Sequence, residues 1–119
     1  MSFLIEKLDV YRLAVDLADA LLELSDRLPW RSRALVDQLA RAALSIPANI
    51  AESNGRHSSR DRQHFLRIAR GSLFECIPLL EIARRRNLMT TEEHGELVAT
   101  AERVSRMLAG LITHHERLP

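Results

Sequence analysis

The chain has 119 residues, 46% of them hydrophobic and 28% charged, the size and balance of one soluble globular domain. Its longest uncharged run, residues 42–51, is far short of the roughly 20 apolar residues that cross a bilayer, so no membrane partner is expected. The formal net charge of +1 excludes a uniformly basic protein, but residues 31–70 hold eight arginines against Asp37, Glu52 and Asp61, a local balance of +5.

Alanine, leucine, arginine and glutamate dominate, glycine and proline number four each, and no alternating segment has strand length. The expected class is all-α. Residues 1–119 read as a single four-helix domain with helices at about 4–27, 33–53, 59–86 and 91–116. Near the start, Glu6 and Lys7 interrupt any signal-like apolar core, and the lone Cys76 can form no internal disulfide. A reduced cytoplasmic setting is the expectation.

In the first helix Leu4, Leu8, Tyr11, Val15, Ala18 and Leu22 repeat at four–three spacing, the stripe expected to enter the bundle. Leu17, Leu21, Leu24 and Leu28 add a second contact face, more apolar surface than one bundle needs. Leu28-Pro29-Trp30-Arg31-Ser32 reads as a loop, because proline disfavours helix in the residue before it.

The second helix has Leu35, Leu39, Ala42, Ala43, Ile46 and Ile50 on its apolar face, with Gln38, Ser45, Asn49 and Glu52 beside it. Pro47 should kink it, and Asn54 or Gly55 should end it in the left-handed conformation. The third helix starts from a Ser58 or Ser59 cap. Its inner face reads Phe65, Ala69, Ser72, Cys76, Leu79, Leu80 and Ala83, flanked by Ile68 and Ile82. Gly71 implies a close neighbour, Pro78 a second kink, and Arg84-Arg85-Arg86 suits the negative end of the helix dipole. Thr90-x-x-Glu93 is a capping box, and Leu97, Ala101, Val104, Leu108, Leu111 and His115 follow in strict register. Short connections then make these an antiparallel up-down bundle with apolar edges left for self-association.

Two groups of residues are candidate sites. Gln38, Ser45, Asn49, Glu52, Arg70, Ser72 and Glu75 form a polar seam between the second and third helices. Glu52, near a helix C-terminus, needs a cation there, and Arg67 and Arg70 are the donors expected. A structural role in register or subunit packing competes with a small-molecule or catalytic site at Glu52 and Glu75. Arg56, Arg60 and Arg62, extended by Arg67, surround the serine-rich turn and form a candidate phosphate or nucleic-acid contact, with a solvated basic tip as the plain alternative.

Catalytic spacings are absent. No Glu-x-x-His supports a di-iron bundle, no aspartate follows Asp61 to complete a helical pyrophosphohydrolase motif, and Arg60-x3-His64 is a residue short of the helical RNase pattern. His114-His115-Glu116 reads as a fraying helix end, not a metal site. No cofactor is expected.

The segment Gln38-Leu39-x-Arg41-Ala42-Ala43-x-Ser45-Ile46-Pro47-Ala48-Asn49-Ile50-Ala51-Glu52 carries a resemblance. With Asn54-Gly55-Arg56 and Phe65-Leu66-x-Ile68-Ala69-Arg70-Gly71-Ser72-Leu73, it resembles the bacterial four-helix bundle family that includes proteins encoded in intervening sequences of 23S ribosomal RNA genes. That family is related to the accessory variability determinant of diversity-generating retroelements. The resemblance implies a non-enzymatic homopentamer whose partners are its own copies, RNA or DNA, or a nucleic-acid-processing protein. Ser53 stands where the family usually has glycine. The alternative is a structural interaction module without nucleic-acid affinity.

Overall fold

The computed structural model describes residues 3–118, with side chains from Leu8 onward. Its helices are α1 Phe3–Arg27, α2 Arg33–Asn54, α3 Ser59–Arg85 and α4 Thr91–Glu116, with a 3₁₀ turn at Trp30–Ser32. Among the described residues there is no strand. Consecutive helices pack on each other and α1 closes on α4, so the chain forms the expected all-α, up-down bundle, 49 × 24 × 18 Å in extent.

The cap chemistry explains where the helices start. The Ser58 hydroxyl accepts from the Asp61 N–H at 3.1 Å. Thr90 accepts from the Glu93 N–H at 3.0 Å while the Glu93 carboxylate takes the Thr90 N–H at 3.3 Å, a complete capping box. The ends differ from expectation. Gly55 is right-handed (φ −86°), and its N–H reaches the carbonyls of Ala51 and Glu52, so no left-handed cap forms there. The left-handed cap is Asn87 (φ 59°), where the Leu88 N–H bonds back to the Ala83 carbonyl and closes α3.

Leu39, Ala42, Ala43, Ile46 and Ile50 of α2 and Ala101, Val104, Leu108, Leu111 and His115 of α4 are buried, as their spacing predicts. Each fully buried leucine contributes roughly 1.5–3 kcal/mol. His115 therefore belongs to the core, and the expected frayed end is incorrect: α4 stays helical to Glu116. In α3 Ala69, Cys76, Leu80 and Ala83 are buried as expected, and the rest of the core face shifts partway round the helix. Leu66 and Leu73 are buried, Phe65, Ser72 and Leu79 are half-buried, and Ile68 and Ile82 are exposed.

The larger correction is in α1. Val10, Ala14, Leu17, Leu21 and Leu24 enter the core, whereas Leu8, Tyr11 and Val15 are 44%, 36% and 39% exposed. Leu4 lies outside the residues whose side chains are described. Both sets have four–three spacing, so periodicity alone cannot choose between them. Ala18 of the first stripe is buried along with this second set.

Neither proline interrupts its helix: α2 continues through Pro47 and α3 through Pro78. Each removes the N–H that would have reached the carbonyl four residues back, at Ala43 and Phe74. Gly71 has no close neighbour, since a Cβ built there meets nothing within 4 Å.

Candidate interaction surfaces

The polar seam forms only in part. Ser45 sits at its centre, its hydroxyl oxygen accepting from Ser72 of α3 at 2.8 Å and from the Asn49 amide at 2.9 Å. Asn49 also donates to the Ser45 carbonyl at 2.8 Å. A hydroxyl accepting twice at a helix–helix contact fixes axial register, each bond contributing roughly 1 kcal/mol. Gln38 and Glu75 instead line an open groove of about 670 Å³ with Asp37 and Arg41, and Glu52 is not part of it.

Glu52 does not meet Arg67 or Arg70. It pairs with Arg56, four residues on, while Arg67 pairs with Glu116 of α4 at 2.7 Å. Arg70 is two residues before Ser72, about 200° round the helix, and faces α4 with its guanidinium 5.1 Å from the Phe74 ring. The seven-residue network therefore separates into a Ser45–Asn49–Ser72 cluster, an open Gln38–Glu75 groove, and two residues with other partners.

At the basic turn the arginines are largely engaged within the chain. Arg56 lies 4.6 Å over the Phe65 ring as well as pairing with Glu52. The Arg62 Nε donates to the Arg56 carbonyl at 2.7 Å. Ser53, wholly buried, donates to the Arg62 carbonyl at 3.0 Å, so the serine found in place of glycine ties the end of α2 to the start of α3. Arg60 is exposed, and among the described residues it forms no ion pair.

The opposite end carries a surface that linear reading missed. Trp30 is 77% exposed, with the Arg33 guanidinium 4.3 Å over its ring. Beside it Arg31 and Arg86 flank a groove of about 560 Å³ floored by Leu35, Ile82 and Leu88. Neither forms an ion pair among the described residues. Fifty-five positions separate the two arginines in sequence, and only the up-down topology brings them together. Next to this end, Arg27 and Glu93 pair at 2.5 Å across α1 and α4. The Arg27 hydrogen bond first, and the Thr90 N–H second, hold the Glu93 carboxyl below its ordinary range.

Cys76 is buried between helices, and desolvation followed by the Glu75 charge pushes its thiol up to about 11. Among the described residues no group of three histidine, cysteine or acidic side chains could hold a metal ion, and no helix is long and apolar enough to cross a membrane.

These features define an all-helical protein with open grooves on its surface and no assembled set of catalytic groups among the described residues. The family model of the 23S rRNA-intervening sequence protein matches residues 6–110, and the chain belongs to that family. A comparison with curated proteins gives no match. Among solved structures, a protein with unknown function from the S23 ribosomal protein family of Bacteroides thetaiotaomicron is similar. It is 23% identical, its TM-score is 0.85, and the alignment covers 91% of this chain and 98% of that one, which shows the shared fold.

Proposed function

We propose that the protein is a non-catalytic, self-associating binding protein of the cytoplasm, assembled as a homopentamer, that contacts RNA or DNA through the ends of its bundle. The observation carrying self-association is the exposed row of Leu8, Tyr11 and Val15, which a monomer leaves in water. The family resemblance supplies the number five, and the free buried cysteine fits a reducing compartment. Light scattering tests the first part: five chains of 13.5 kDa are expected, and a monomer at micromolar concentration overturns it.

Nucleic-acid contact is supported by Arg60 at the turn and by Trp30, Arg31 and Arg86 at the other end, where phosphate and base faces find charge and an aromatic plane. Binding that falls steeply with added salt is expected in a gel-shift series with single-stranded and structured RNA. The second reading, a protein-interaction module without nucleic-acid affinity, is favoured by the internal pairing of Arg56, Arg62 and Arg67. Salt-insensitive or absent binding selects it.

A further inference from the structure

Two unlike apolar surfaces remain once the core is closed. The first is the α1 ridge of Leu8, Tyr11 and Val15. Ala20, Glu23 and Arg27 line the seam between α1 and α4, and the ridge lies about 120° round α1 from them, turned away from α4. The second is a groove between α3 and α4. Phe74, Ile77 and Pro78 meet Val98 and Ala101 along a depression of about 490 Å³. It continues past Phe74, itself 51% exposed, into a second depression of about 360 Å³ beside Gly71, where a Cβ would meet nothing.

We propose that the α1 ridge of one copy seats in the α3–α4 groove of the next, a head-to-tail contact repeated around a closed ring. This rests on the self-association reading above and names the two faces that carry it.

Height along the bundle is the strongest argument. The Arg27–Glu93 pair aligns α1 with α4, and Tyr11 is sixteen residues from Arg27, about 24 Å at 1.5 Å per residue. The same sixteen residues from Glu93 reach Ala109 on the antiparallel α4. From the other end, the Arg67–Glu116 pair aligns α3 with α4, and seven residues from each reach Phe74 and the same Ala109. Ridge and groove therefore stand at one level. A copy rotated about an axis parallel to the bundle, with no shift along it, brings Tyr11 of one chain to Phe74 of another. Unlike, non-overlapping patches give rings or filaments, whereas a two-fold dimer needs one self-complementary patch.

Charge agrees with shape. From residue 9 to 27, α1 carries five carboxylates against Arg12 and Arg27. Beside the paired Arg67 and Glu116, the groove's lip presents Arg70 and Arg106 against Glu102. An acidic ridge meets a basic-lipped groove.

Two variants on exposed residues test the contact, with far-UV circular dichroism confirming the helices: Tyr11→Glu disables the ridge and Phe74→Glu the groove. Each alone is expected to be monomeric, its assembly weakened at least 100-fold. Mixed in equal amounts they are expected to form a two-chain species, because the intact groove of the first accepts the intact ridge of the second. Native mass spectrometry reads all three samples. Should Tyr11→Glu lose its helical signal, Val15→Glu takes its place.

A wild-type monomer overturns this contact together with the self-association reading. A wild-type oligomer that survives either substitution overturns the contact alone. Single variants that stay monomeric when mixed also overturn it, and Phe74→Glu that still pairs with itself indicates ridge-on-ridge dimerisation.

Discussion

Both ends of the bundle hold paired arginines, and they differ in what their unpaired ones sit beside. At the α2–α3 turn, Arg56 and Arg67 have carboxylate partners, Arg62 holds a carbonyl, and Arg56 also lies on Phe65. At the far end, Arg31 and Arg86 border a groove with no such partners among the described residues, beside a largely exposed tryptophan. The sequence concentrates positive charge near the turn, but charge already paired within the fold attracts a phosphate less than an uncommitted guanidinium does. Available charge, not arginine density, locates a polyanion.

The sharpest way to break this contrast is to remove the tryptophan. Trp30→Ala is expected to weaken single-stranded RNA binding by about 5- to 160-fold, the equivalent of roughly 1–3 kcal/mol of base stacking. Fluorescence anisotropy of a labelled oligonucleotide measures it. Arg56→Ala, by contrast, should leave affinity within about twofold. Equal losses at both ends would dissolve the distinction.

Next in size is the stitching of the turn. Ser53→Ala removes the donor to the Arg62 carbonyl inside the fold and is expected to cost about 1–3 kcal/mol in urea unfolding. Arg56→Ala loses an exposed ion pair and a guanidinium–ring contact, together about 1 kcal/mol. Arg31→Ala should be neutral to stability, since it forms no such contacts.

The smallest effect is a pH dependence at the far end. The Glu93 carboxyl has its ordinary value of 4.5 lowered in the fold, so its contribution is fully present above that pH. It is lost as pH falls through the lower, folded value. Wild type is therefore expected to lose more stability than Glu93→Gln on acidification below about pH 4.5, as followed by thermal unfolding. Identical acid profiles would contradict the assignment.

The fold was more legible than the surfaces. Four helices, the Ser58 and Thr90 caps, and the core faces of α2 and α4 follow from local pattern, because one apolar stripe dominates each face. In α1 two stripes of equal period compete, and only tertiary packing decides which is buried. In the seam, Ser45, Asn49 and Ser72 hydrogen-bond to one another, but Arg70 faces α4 because residue type gives no azimuth. Arg31 and Arg86 were invisible as a pair because chain topology alone brings them together. The Asn87 cap of α3 had no counterpart in the sequence reading, since asparagine takes the left-handed conformation without the signature of glycine.

Cys76 has a consequence beyond packing. A thiol held near the middle of α3 and titrating at about 11 presents almost no thiolate at neutral pH while the helices are closed. Alkylating reagents can capture it only during moments of opening, so its modification rate acts as a natural clock for core breathing. When the reagent is slower than reclosure, that rate tracks the free energy of opening.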